Sequence, residues 1–121
     1  MAQFIARSLA KKYGCVTAIS GKRDIIADTN QIYYVDNGHE LLTTLTGTGC
    51  MVTAVIGAFC GIEKNYALAS ACALAVYGLA AELAAKKAQG PGSFKVAFFD
   101  AVYNLTEGQI VRGVRIQKAK L

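Results

Sequence analysis

The chain of 121 residues is 54% hydrophobic and 17% charged, enough for one domain with a buried core and unlike a disordered or charged tail. Its net charge of +5 comes from scattered residues, Lys11, Lys12, Lys22 and Arg23 early and Arg112, Arg115, Lys118 and Lys120 late. No basic block with interleaved aromatics occurs, which argues against a nucleic-acid surface and for a solvated basic face or attraction to a small polyanion.

Ala2–Tyr13 reads as an amphipathic helix with Ala2, Ile5, Ala6, Leu9 and Tyr13 on its inward stripe, and Gly14 ends it. That amphipathicity is unlike a secretory signal, so a reduced, cytoplasmic setting is expected. Cys15–Ile19, Asp24–Asp28 and Gln31–Val35 read as strands, and Asp36-Asn37-Gly38 as a turn into a further strand from His39 to Leu45. Cys50–Cys60 is expected to be a buried helix. Asn65 is placed to cap a long helix reaching about Lys87, with Leu68, Cys72, Val76, Leu79 and Leu83 as its stripe.

Gln89-Gly90-Pro91-Gly92 breaks that helix, and Ser93 is expected to cap the next, which turns Phe94, Phe98, Ala101, Val102 and Leu105 inward. Thr106-x-x-Gln109 has the form of a capping box, and Val114–Gln117 alternates as an edge strand would. Short strands followed by packed helices define an α/β layered class.

The candidate site is Thr46-Gly47-Thr48-Gly49-Cys50, where a strand is expected to stop and a helix to begin. Such a turn leaves backbone N–H groups unpaired at the positive end of a helix, suited to an anion. Cys50 would sit in that field, which favours a thiolate. No P-loop, G-x-G-x-x-G or G-x-S-x-G pattern is present.

The other chemical candidates read more plainly. Cys15, Cys60 and Cys72 lie in apolar stretches and are expected to be small core residues, and the four cysteines lack zinc or dithiol spacing. His39, the only histidine, reads as an exposed strand-end residue. Asp24 and Asp28 share one strand face and fit solvated edge carboxylates better than metal ligands, so no metal site is assigned. Tyr33, Tyr34 and Tyr77 are expected to pack. Leu41–Ile62 and Asn65–Ala81 carry no charge, which raises a two-span membrane hairpin as an alternative to buried helices.

Leu42-Thr43-Thr44-Leu45-Thr46-Gly47-Thr48-Gly49-Cys50, with Gly57-Ala58-Phe59-Cys60 after it, resembles the hydroxyethylthiazole kinases. The likeness extends through Ala18-Ile19-Ser20-Gly21, Asp24–Asp28, Asn37-Gly38-His39, Tyr77–Ala81 and Gly90–Phe94, over essentially the whole chain. It implies a partial ribokinase-like fold, with residues 1–121 as the C-terminal portion of a kinase domain and the N-terminal portion outside the chain.

The resemblance further implies ATP-dependent phosphorylation of the hydroxyl of 4-methyl-5-(2-hydroxyethyl)thiazole for thiamine biosynthesis or salvage. Mg2+ would accompany ATP as its co-substrate, and the family's assembly is a homotrimer. By the same resemblance Gly47, Thr48 and Gly49 form an anion hole for the transferring phosphoryl group, and Gly47 contacts the thiazole. Ser20 contacts the ATP phosphates, and Cys50 accepts or orients the proton of the substrate hydroxyl. Two other readings stay open: a non-catalytic fragment that keeps the anion site, and a self-associating or membrane-associated helical module.

Overall fold

The computed structural model describes residues 1–120. Helix α1 (Ala2–Tyr13) has the expected bounds, and Gly14 closes it with a left-handed φ of 62° and an N–H donated to Ala10 O. Strands β1 (Thr17–Ile19), β2 (Asp24–Ala27) and β3 (Ile32–Val35) form an antiparallel meander. A late strand, β4 (Ile116–Lys118), completes the order β1-β2-β3-β4 by pairing Val35 with Ile116. The expected edge strand at the C-terminal end is therefore present.

Helices cover both faces of this sheet. On one face Ala6 of α1 packs with Ile25, Ala27 and Ile32. On the other, Ile26, Tyr33 and Val35 meet Ala67, Ala71, Leu74 and Ala75 of the long helix α3 (Tyr66–Ala85). All four residues of β2 are buried as a result, which is why its sequence is nearly continuous in apolar residues. Helices α2 (Thr48–Cys60) and α4 (Pro91–Asn104) flank α3, and a short α5 (Glu107–Gly113) returns the chain to β4. The fold is a mixed α/β layered structure, as expected.

Several local expectations are met at the atoms. Asn65 Oδ1 accepts from Leu68 N–H at 3.2 Å and starts α3. Thr106 Oγ1 accepts from Gln109 N–H at 3.2 Å, while Gln109 Oε1 accepts from Thr106 N–H at 2.9 Å, closing the capping box of α5.

Other expectations are corrected. His39–Leu45 is no strand: Glu40–Thr44 forms a 3-10 helix. The Thr43 and Thr44 hydroxyls donate to Glu40 O and Leu41 O at 2.6 Å each, so local bonds replace ladder bonds. The open edge of β3 is taken instead by β4 from the far end of the sequence. Helix α4 starts at Pro91, with Gly90 as its cap, because proline at the first position costs the helix no hydrogen bond. Ser93 Oγ instead accepts from Gln89 N–H at 2.9 Å.

The inward stripes also shift. In α1 the fully buried residues are Ala6 and Ala10, while Ile5, Leu9 and Tyr13 are exposed, because close approach to the sheet selects the smallest side chains. In α3 only Leu79 of the predicted stripe is buried: Leu68, Cys72, Val76 and Leu83 are half-buried, and the alanines between them are buried. Helix α2 begins at Thr48 and has no fully buried residue. Cys15 is exposed and Cys60 and Cys72 are half-buried, so none is a core residue, and all four thiols are free. In α4, Phe94 and Phe98 do turn inward, whereas Val102 is exposed.

Helix α3 is long and apolar enough to cross a membrane by length and composition, but 72% of its most apolar stretch is buried inside the fold. The other half of the alternative membrane hairpin is broken at Gly47 into the 3-10 helix and α2. The apolar runs belong to the packing of one helical layer.

Arg23 fixes the loop after β1 by a two-point pair with Asp36, at 2.7 and 2.9 Å. The Arg23 hydrogen bond, and its charge with that of Arg115, hold the Asp36 carboxyl below its ordinary range. A carboxyl depressed in the folded state contributes stability above its unfolded value of about 4, and that stability is lost as pH falls through the folded value. Asp36→Asn is therefore expected to cause a small, salt-sensitive loss of stability at neutral pH, with the difference closing below about pH 4. Urea unfolding of both proteins across that pH range checks it.

Candidate functional site

The first turn of α2 has the geometry of an anion site. Gly47 occupies the cap position with φ 91°, a left-handed conformation natural to glycine, and offers no side chain to its own helix. A serine or aspartate there would have bonded a first-turn N–H. With glycine, the N–H groups of Thr48, Gly49 and Cys50 stay free for a ligand, and Met51 N–H, bonded to Gly47 O at 2.9 Å, is the first to close the helix. Aligned peptide dipoles add positive potential at this end.

Two contacts hold the turn. Thr48 Oγ1 donates to Leu42 O at 3.0 Å, which ties it to the 3-10 helix. Tyr77 Oη, from the middle of α3, donates to Thr48 O at 2.7 Å. Burial pushes the Tyr77 phenol up to about 12, so it remains a donor through the neutral range. Its ring meets Phe98 edge-on at 5.0 Å, and Phe98 stacks with Phe94 at 5.8 Å, so α4 fixes the tyrosine from behind. Tyr77→Phe is expected to keep the packing and lose about 1 kcal/mol of stability through the missing bond. Urea unfolding at neutral pH measures that loss.

A cleft of about 770 Å³ opens beside the turn. Its wall includes Ser20 and Gly21 from the end of β1, Asn37 to Glu40 after β3, Thr48 and Gly49 of α2, and Tyr77 and Gly78 of α3. Of the residues expected to form the site, Ser20, Thr48 and Gly49 thus face one space. Gly47 and Cys50 lie outside that wall, exposed on the same turn. Lys22 also borders the cleft, and among the described residues it has no ion pair.

Asp24 is corrected from a solvated carboxylate to a buried one, 8% exposed, whose Oδ1 accepts from Gly21 N–H at 3.0 Å. Burial pushes its carboxyl up, against the lowering effect of that bond, so it serves chiefly to shape the loop that carries Ser20. Asp28 leaves the strand and organises a turn, accepting from Asn30 N–H and Gln31 N–H at 2.7 Å each. His39 is not an exposed strand end: half-buried, it caps the 3-10 helix through Nδ1, which accepts from Leu41 N–H at 3.1 Å.

Asn37 is the structural keystone of the far wall. Its Nδ2 donates to Glu82 Oε2 and Gly113 O, both at 2.9 Å, and its Oδ1 accepts from Arg115 N–H at 2.7 Å. Arg115 also pairs with Glu82. The roles of Asn37, His39 and Tyr77 depend on residues distant in sequence or on local caps that a strand reading hides. The sequence signal for Tyr77 was its place in the Tyr77–Ala81 segment that carries the family likeness, which says nothing of its bond to Thr48.

Comparisons with known proteins place the chain in a family. The hydroxyethylthiazole kinase family matches residues 2–108. A hydroxyethylthiazole kinase of Roseiflexus sp. (strain RS-1) is 57% identical over 111 residues, covering 92% of this chain and 41% of that protein. One from Methanocella arvoryzae is 46% identical over 114 residues, covering 94% of this chain and 43% of the relative. Among solved structures, hydroxyethylthiazole kinase from Pyrococcus horikoshii OT3 superposes with a TM-score of 0.91 at 37% identity, over 98% of this chain and 46% of that one. The chain thus spans less than half the length of these relatives, and it matches them across nearly all of its own. The chain belongs to the hydroxyethylthiazole kinase family.

Proposed function

We propose that this chain supplies the phosphate-binding and proton-accepting part of an ATP-dependent kinase acting on the hydroxyl of hydroxyethylthiazole, in thiamine biosynthesis or salvage. The observation that carries this reading is the α2 turn: three free N–H groups at a glycine-capped helix start, beside a cleft that Ser20 also lines, in a chain of this family. In this reading the amides of Thr48, Gly49 and Cys50 bind the transferring phosphoryl group, whose charge grows on its equatorial oxygens. Ser20 contacts the ATP phosphates, and Gly47, with no side chain, lets the thiazole approach the backbone. Cys50 Sγ takes or orients the hydroxyl proton as the substrate oxygen attacks in line.

Mg2+ enters this reading with ATP as its counter-ion. Among the described residues no group of three or more His, Cys, Asp or Glu is placed to hold a metal. A cytoplasmic homotrimer is the assembly proposed with this function. Exposed apolar residues such as Phe4, Ile5, Tyr103 and Val111 support a fold that is covered by further protein.

The test is ADP release from Mg-ATP, with and without hydroxyethylthiazole, by a chimera in which this chain replaces the matching segment of the Roseiflexus relative. The expected result is release that depends on the thiazole alcohol. A folded chimera that binds nucleotide yet shows no thiazole-dependent release contradicts the reading. A second reading, a segment that binds phosphate without turnover by itself, is favoured by the 41% coverage of that relative. It predicts nucleotide binding but no ADP release by the isolated chain.

A further inference from the structure

We propose that His39 is a ligand-binding residue, whose Nε2–H donates to a phosphate oxygen of the anion held at the α2 turn. This deepens the kinase reading and rests on it. His39 lines the same cleft as Thr48, Gly49 and Ser20. Its Nδ1 accepts from Leu41 N–H at 3.1 Å, so in the neutral ring the proton is placed on Nε2. That Nε2 has no hydrogen-bond partner among the described residues, and it is not a buried orphan atom, so the donor is open to a ligand.

The ring is held in place rather than free to rotate. The cap bond fixes one edge, and Phe94, itself fully buried, lies against it with ring centroids 6.5 Å apart. The 3-10 helix that His39 caps is also the element that receives the Thr48 hydroxyl, through Leu42 O at 3.0 Å. Histidine and helix turn are thus two ends of one braced unit, and both border the cleft. A donor fixed in advance loses little freedom when an anion arrives, and a bond to a charged oxygen is among the stronger hydrogen bonds. The structural role of the cap needs only an acceptor at Nδ1; asparagine would serve there, and it would not supply the outward N–H.

That difference supplies the test. His39→Asn keeps an acceptor where Nδ1 sits and removes the Nε2 donor; His39→Gln keeps a donor at the reach of Nε2 and removes the cap. Affinities for Mg-ATP and for inorganic tripolyphosphate are measured by calorimetry on this chain, and the Nε2 resonance of His39 is followed in the wild type. The expected result is about a tenfold loss of affinity for both ligands in His39→Asn, part of it restored in His39→Gln, and a shift of the wild-type Nε2 resonance on binding. Binding that moves the Thr48 and Gly49 amides, with Nε2 unmoved and His39→Asn unimpaired, overturns the role of His39 and leaves the kinase reading standing. Binding of neither ligand by the folded wild type overturns both.

Discussion

Cys50→Ala is expected to lower thiazole-dependent ADP release by the chimera by about 100-fold or more, the scale of a general base in proton transfer. Folding should be untouched, because Cys50 is exposed on the first turn of a helix with no fully buried residue. The backbone N–H groups proposed to bind phosphate remain in the variant, so nucleotide affinity should change little while kcat falls. That split separates a chemical role from a binding one. Unchanged kcat would remove Cys50 from the mechanism and leave the amide turn as the whole contribution of this segment. Matched circular dichroism spectra and steady-state kinetics on the two proteins decide it.

The largest structural effect is expected at Gly78. A Cβ on this residue would lie 2.6 Å from both the C and O atoms of Asn37 and 2.8 Å from Gly38 N, contacts that side-chain rotation cannot relieve because all three atoms are backbone. Neither partner is free to withdraw. Asn37 is tied to Glu82, Gly113 and Arg115, and α3 is buried on most of its circumference. Gly78→Ala is therefore expected to cost about 2–3 kcal/mol, a large part of a typical domain's stability. It should also weaken phosphate binding, because the displaced Asn37–Gly38 backbone is cleft wall. Gly57→Ala on the exposed face of α2, where an added Cβ meets nothing within 4 Å, is the control and should be neutral or stabilising by about 0.5–1 kcal/mol. Urea midpoints of the two variants settle the comparison, and equal effects would contradict the close-packing argument.

What was legible in the sequence was what short-range chemistry decides. The bounds of α1, its Gly14 terminus, the Asn65 cap and the Thr106–Gln109 capping box all involve residues within a few positions of one another. The turn at Gly47–Cys50 was legible for the same reason, although the element before it is a 3-10 helix rather than a strand. His39–Leu45 was misread because the Asp36-Asn37-Gly38 turn was taken to lead into a further strand, without weighing the threonine hydroxyls, which fold back on the chain, or β4, which arrives from the far end to occupy the edge.

Burial was the least legible property. In α3 the large apolar residues suggested the inward stripe, yet alanines line the closest contacts, and of that stripe Leu79 is buried while Leu68, Cys72, Val76 and Leu83 are left half-buried. The same inversion leaves Ile5 and Tyr13 exposed on α1. Close packing between backbones selects small residues, a preference that hydropathy does not register. Tyr77 and Asn37 were hidden for a related reason. Their partners, Thr48 for one and Glu82, Gly113 and Arg115 for the other, are brought near only by the fold.

The most direct test of the account is a titration of the isotope-labelled chain with Mg-ATP, followed at the backbone amides. The account predicts saturable shifts centred on Thr48, Gly49 and Cys50, with a second set at Ser20 and Gly21, reproduced by inorganic tripolyphosphate at those first three amides. Saturable binding that leaves the α2 turn unmoved, or shifts confined to the basic C-terminal residues Arg112 to Lys120, would contradict it.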